Sequence, residues 1–226
     1  MNRPDLHCRS GQGQLWLDGA FLVALLLVAL VSLGRIVTLY QTPMQLFFDE
    51  AQYWSWGRAL DFGYFSKPPL LAWIIRGFTE ICGEGEACIR MVSPVLYGLS
   101  ALIVGLLAAR VSERMGGSAR IALIWGALLF ATLPGVSFAA RLTSTDAPLL
   151  FCFALALLFL DCLRQGAGVG NALGLGLALG FGFMAKYAMA YFVLGMIIWA
   201  MVSREGRQTL FQPVMMIVLL VAGLVV

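Results

Sequence analysis

Charge is what this sequence has least of. Asp, Glu, Lys and Arg make up only 12% of its 226 residues, hydrophobic residues make up 61%, and mean hydropathy is +0.88. A soluble domain with so few charges would expose apolar patches large enough to aggregate. The net charge of +3 is too small to point to a nucleic-acid partner, and no basic stripe interleaved with aromatics is present. Internal repeats and low-complexity stretches are also missing. The first apolar run, 20–39, has no small-x-small cleavage site after it and is too long for a signal-peptide core. The natural solvent of such a chain is a bilayer, which takes about 20 apolar residues per spanning helix.

Apolar runs fall at 20–39, 91–109, 121–139, 147–163, 172–202 and 210–226. The polar gaps between them set an orientation. RVSERMGGSAR holds Arg110, Arg114 and Arg120, while DCLRQGAGVGN and SREGRQ carry further arginines. By the positive-inside rule these gaps are cytoplasmic, as is the N-terminal head with Arg3 and Arg9. The gaps at 40–90 and 140–146 then lie outside. The run 172–202 has arginines beyond both ends, so it must cross an even number of times. It reads as two short helices, 172–185 and 187–202, with Lys186 at their turn. Each arm of about 14 residues is roughly 21 Å long, short of the hydrocarbon thickness of about 30 Å. The alternative is one long tilted helix from which Lys186 snorkels. Gly174, Gly176, Gly180 and Gly182 on this run suit close helix packing better than phosphate binding. The last run ends at Val226 without a polar cap, so the chain reads as the N-terminal part of a larger transmembrane domain.

Of five cysteines, only Cys82 and Cys88 share an aqueous loop. Outside the cytoplasm they could pair, and otherwise they are two small buried thiols. Cys152 and Cys162 fall in or beside a span, and Cys8 falls in the head.

The long outer gap opens with FFDEAQYW, where Asp49 and Glu50 stand side by side in apolar surroundings. Residues 52–60 read as an amphipathic helix whose Tyr53, Trp54 and Trp56 suit the headgroup region. Apolar positions 70, 71, 74, 78 and 81 give a second helix behind Pro68-Pro69, with Lys67 at the junction. The order D-E-A-Q fits a capping box with Asp49 as N-cap and Gln52 as its partner. A carboxylate at the membrane surface also fits a general base, and spacing leaves both readings open. In the second outer gap, ARLTSTDAPLL, Thr143 to Asp146 precede Pro148 as a helix start does. A helix N-terminus with hydroxyls and Arg141 nearby could hold a phosphate, or be a plain cap.

These stretches resemble a known family. FFDEAQYWSWGRALDFGYFSKPPLLAWI is similar to the first extracytoplasmic loop of the family 39 membrane glycosyltransferases, which include the protein O-mannosyltransferases and the lipid A aminoarabinose transferases. CIRMVSPVLYGLSALIVG, TDAPLLFCFALALLFL and GLALGFGFMAKYAMA continue the likeness in order, over about residues 15–205. The resemblance implies an all-α polytopic membrane protein of GT-C type, a transmembrane helix bundle with juxtamembrane helices in the first outer loop. It implies an inverting transfer of a sugar from a polyprenyl-phosphate carrier to a lipid, glycan or protein acceptor. The site would face the periplasm from the cell inner membrane. Residue by residue, it implies Asp49 and Glu50 as catalytic acids, with Tyr64, Lys67, Asp146 and Lys186 binding substrate; Arg141 joins the substrate-binding set from the helix-start reading above. Where aminoarabinose transferases tend to have a glutamate before the lysine, this chain has Ser66, which weakens both the case for a divalent metal, otherwise left open, and the lipid A assignment. The competing reading is a transporter or lipid-linked sugar flippase, which would bury paired charges at mid-depth.

Overall fold

The computed structural model describes residues 19–42, 44–166 and 168–226, and among them it is helices and short connections with no strand. The N-terminal head with Arg3, Cys8 and Arg9 lies outside the described residues. In chain order the helices are α1 (Gly19–Gln41), α2 (Phe48–Gly57), α3 (Leu70–Cys82), α4 (Glu86–Arg90), α5 (Val92–Arg114) and α6 (Ala119–Thr132). There follow α7 (Pro134–Ala139), α8 (Asp146–Gln165), α9 (Val169–Ala185), α10 (Ala190–Val202), α11 (Arg204–Leu210) and α12 (Met215–Val225). Three stretches, Gly19–Gln41, Glu86–Arg114 and Asp146–Gln165, are long and apolar enough to cross a bilayer, and a fourth is reached if α11 and α12, bent by 64°, make one span. Together these apolar helices make the chain an all-α membrane protein.

Side-chain pairs fix the helix directions. α5 and α8 run parallel: Ser93 meets Leu142 at one end, and Arg110 meets Asp161 at the other. α9 returns against α8, with Gly174 under Phe159 and Lys186 on Asp146. Lys186 itself is extended (φ −163°, ψ 136°), and after a short 3-10 turn at Tyr187–Met189 the chain reverses into α10. α10 runs back along α8, from the edge-on pair Phe153–Phe192 (5.1 Å between ring centroids) towards Arg164 and Glu205. Lys186 therefore sits at a turn between two antiparallel helices that both lean on α8.

Small residues set the spacing. A Cβ at Gly105 of α5 would come within 2.7 Å of the Leu123 carbonyl of α6, and one at Gly126 within 2.7 Å of the Ala108 Cβ. In lipid, helices associate through such close approach. Gly176 and Gly180 receive Val221 and Val225 of α12 in the same way, and Gly182 receives Met189 of the turn. The glycines of α9 are packing positions.

Three boundaries differ from the sequence reading. The run 121–139 is not one helix: it breaks at Leu133, because Pro134 has no N–H to continue the α6 ladder and instead opens α7. The last run, 210–226, becomes helical only at Met215, and the polar gap before it forms α11, bent by 64° from α12. The first juxtamembrane helix begins at Phe48, four residues before the expected 52, and this moves its cap, as described next.

Candidate active site

The end of the bundle that carries α2, α3, α4, α7 and the Lys186 turn gathers the acids and lysines singled out in the sequence. The N-cap of α2 is Phe47, so Asp49 is not the cap and Gln52 is not its partner. The third helical position is Glu50, whose Oε2 accepts from the Phe47 N–H at 3.0 Å. Consecutive helical residues point about 100° apart, so adjacent acids on one turn cannot share an environment.

Glu50 turns inward. Only 2% of its side chain is exposed, against 3% for its partner Arg90 on α4. Arg90 donates to both Glu50 oxygens, at 2.7–3.2 Å, and to the carbonyls of Met44 and Gln45, each at 2.8 Å. The Thr143 N–H, in the 140–145 loop before α8, completes the set, donating to Glu50 Oε1 at 2.7 Å, while its hydroxyl donates to the Ile89 carbonyl. One buried carboxylate thus ties the start of α2, the segment before it, α4 and the loop before α8 together. All its strong acceptor positions are taken by the protein.

Asp49 turns outward. It is exposed, and its carboxylate has no partner among the described residues. One turn on, Tyr53 is buried in a cluster that includes Leu71 and Ile75 of α3, Tyr97 of α5 and Ala147 of α8. That cluster packs α2, which carries Asp49, at the bundle end where α8 begins. Over the Tyr53 ring, at 5.8 Å from its centroid, lies the Lys67 ammonium. Lys67 leads through Pro68-Pro69 into α3, whose first residue, Leu70, packs on the cluster containing Ala185 and Met189, the neighbours of the Lys186 turn. Asp146 opens α8 and binds Lys186 at 2.7 Å, with both side chains close to half exposed (48% and 39%). An accessible ion pair of this kind can exchange partners when an anion arrives.

Tyr64 is a wall of the loop. Its ring stacks on Trp56 (4.8 Å, 4° between planes), and its hydroxyl lies between the carbonyls of Trp56 and Ala59 and the N–H of Asp61. Arg141 is exposed just beyond α7, its side chain without a partner among the described residues. Cys82 and Cys88 are joined in a disulfide across the turn at Gly83, whose positive φ of 89° favours glycine. The bond pins α3 to α4 two residues before Arg90. Among the described residues, no three His, Cys, Asp or Glu side chains come together in one group.

Two features escaped the sequence. Arg90 was legible only as one more charge after CGEGEAC, because its partner lies 40 residues away. At the opposite end, Asp161 accepts from Arg110 and Arg114 at 2.7 Å each, with Arg164 at 3.4 Å and bridging on to Glu205. The i,i+3 spacing of Asp161 and Arg164 was a signal for part of this network.

The family model for dolichyl-phosphate-mannose-protein mannosyltransferases matches residues 66–226. A lipid A galacturonosyltransferase, RgtD, of Rhizobium johnstonii is 40% identical over 173 residues, which is 76% of this chain and 35% of that protein. The chain therefore spans about a third of that relative's length. No solved structure matches the chain significantly.

Proposed function

Because the chain belongs to the dolichyl-phosphate-mannose-protein mannosyltransferase family and is a GT-C-type glycosyltransferase, we propose that it moves a sugar from a polyprenyl-phosphate carrier to a lipid A-type glycolipid on the extracytoplasmic face of the inner membrane. The acceptor class follows the name of the Rhizobium relative. The observation that carries the reading is the convergence on one bundle end of an unpaired acid, Asp49, with an exchangeable Asp146–Lys186 pair and Lys67. A transporter would bury its paired charges at mid-depth, whereas here the ion pairs collect at the two ends.

The reaction follows from these positions. An acceptor hydroxyl attacks the anomeric carbon while its proton passes to Asp49. The bond from that carbon to the phosphate oxygen breaks, and polyprenyl phosphate leaves with the electron pair. Attack from the face opposite the leaving group inverts the anomeric centre. Negative charge grows on the phosphate, where Lys186 and Lys67 stabilise it. Asp146 holds Lys186 until the phosphate arrives and then positions the sugar. Glu50 and Arg90 touch no substrate, and their part is to hold Asp49 against the second outer loop.

Lys67→Ala and Lys186→Ala should each raise KM for the polyprenyl-phosphate donor at least tenfold, with normal yield and thermal stability in detergent. Unchanged donor KM and kcat in both variants would remove the phosphate clamp. Orientation has its own check. Single cysteines at Ser66 and Ser144 should react with an impermeant thiol reagent from outside and one at Ser118 should not. Labelling at Ser118 alone would put the site on the wrong face for this donor.

A further inference from the structure

Arg35 sits inside the apolar helix α1, six residues before its end at Gln41, or about 9 Å along the axis. A guanidinium at that depth needs partners. Those it has are neutral: one NH2 group donates to the Ala131 carbonyl and, at 3.0 Å, to the Ser137 hydroxyl. The Ala131 carbonyl is within reach because the α6 ladder is interrupted at Pro134. Ser137 lies on α7, and Arg141 follows four residues later in the turn that continues it, with its N–H on the Phe138 carbonyl. Arg141 thus follows Ser137 by four residues on the same short segment, so Arg35, through its bond to Ser137, and Arg141 meet at the end of α7. Neither has a carboxylate partner among the described residues, a trait they share with Arg58, Arg204 and Arg207, but only Arg35 of these lies within an apolar spanning helix. Leu133 and Phe138, beside this notch, are 49% and 69% exposed. Two cations above an exposed apolar step fit an amphiphile that carries an oxyanion at the membrane surface. Guanidinium groups bind phosphate through paired, charge-assisted hydrogen bonds.

We propose that Arg35 and Arg141 form a second anion site, reached sideways from the bilayer, that takes a phosphate of the acceptor glycolipid while Lys67 and Lys186 take the donor's. The site rests on the glycolipid-acceptor reading above, and its test does not depend on turnover. Purified full chain in phosphatidylcholine nanodiscs is titrated with a monophosphorylated lipid A-type disaccharide and with the same lipid after phosphatase treatment. Wild type should bind the phosphorylated form about tenfold more tightly, the size of one charge-assisted contact. Arg141→Ala, whose side chain supports no described contact, and Arg35→Gln, which keeps a donor for Ala131, should each erase most of that preference. No preference in wild type, or an undiminished one in the double variant, overturns the proposal. So does competition by phosphatidylglycerol at equal phosphate, which would make this a site for bulk anionic lipid. A loss confined to polyprenyl-phosphate binding would assign the arginines to the donor and likewise overturn it. An arginine-dependent preference in a protein that transfers no sugar would uphold the site and reject the enzymatic reading.

Discussion

Arg90→Ala should destabilise the protein by about 3–5 kcal/mol, the range for removing one partner of a buried ion pair. The loss is not of one contact. Without the guanidinium, the Glu50 charge stays buried with only the N–H groups of Phe47 and Thr143, and the Met44 and Gln45 carbonyls lose their donor. Arg90→Lys keeps the charge but not the planar fork that reaches a carboxylate and two carbonyls at once, so it should recover only part of the stability. Both are read by thermal unfolding in detergent, with limited proteolysis reporting on residues 44–90. Cleavage there should rise before the bundle melts, because the pin joins loops rather than spans. An unshifted unfolding midpoint in Arg90→Ala would show that the 44–90 and 140–145 segments are held by something else. Glu50→Gln should fall between wild type and Arg90→Ala. It retains an acceptor for Thr143 but leaves a cation without its counter-charge.

The architecture was legible where hydrophobic length and arginine position decide it. The position of Lys186 between two short helices follows from arginines beyond both ends of one long apolar run. The second juxtamembrane helix follows from apolar spacing behind two prolines, and it begins at Leu70. Less legible were features set by a partner distant in the chain. The D-E-A-Q order satisfied a capping box on paper, yet Glu50 reaches back to Phe47 and makes its own N-terminus two residues earlier than that box required. What decides this is burial against Arg90 and Thr143, which no local pattern contains. Pro134 is visible in the sequence, but the hydrophobicity around it hides the break. Arg35 could have been noticed as an arginine within an apolar run, though not its closeness to Arg141.

The shifted helix start sharpens the question about Asp49. Because Phe47 is the cap, replacing Asp49 touches no capping hydrogen bond, and the exposed carboxylate holds nothing in place. Asp49→Asn is close to isosteric and removes only the charge and the ability to take a proton. Its structural cost should be small: a favourable charge in the first turn of a helix contributes typically about 0.3–1 kcal/mol. Its catalytic cost should be large, since loss of a positioned general base slows transfer roughly 10²–10⁴-fold. Donor KM should stay within about threefold, because the proposed phosphate clamp is made of the lysines and not of this acid. As a control, Gln52→Ala should keep most of the activity.

The most direct measurement is therefore single-turnover transfer from a radiolabelled polyprenyl-phosphate sugar to a lipid A-type acceptor, by wild-type and Asp49→Asn protein of equal thermal stability. The account predicts a glycosylated lipid of inverted anomeric configuration from wild type, and at least a hundredfold slower formation by the variant at saturating donor. Equal rates for the two proteins would contradict the role of Asp49. Transfer from a nucleotide sugar, with none from the lipid phosphate, would contradict the account as a whole.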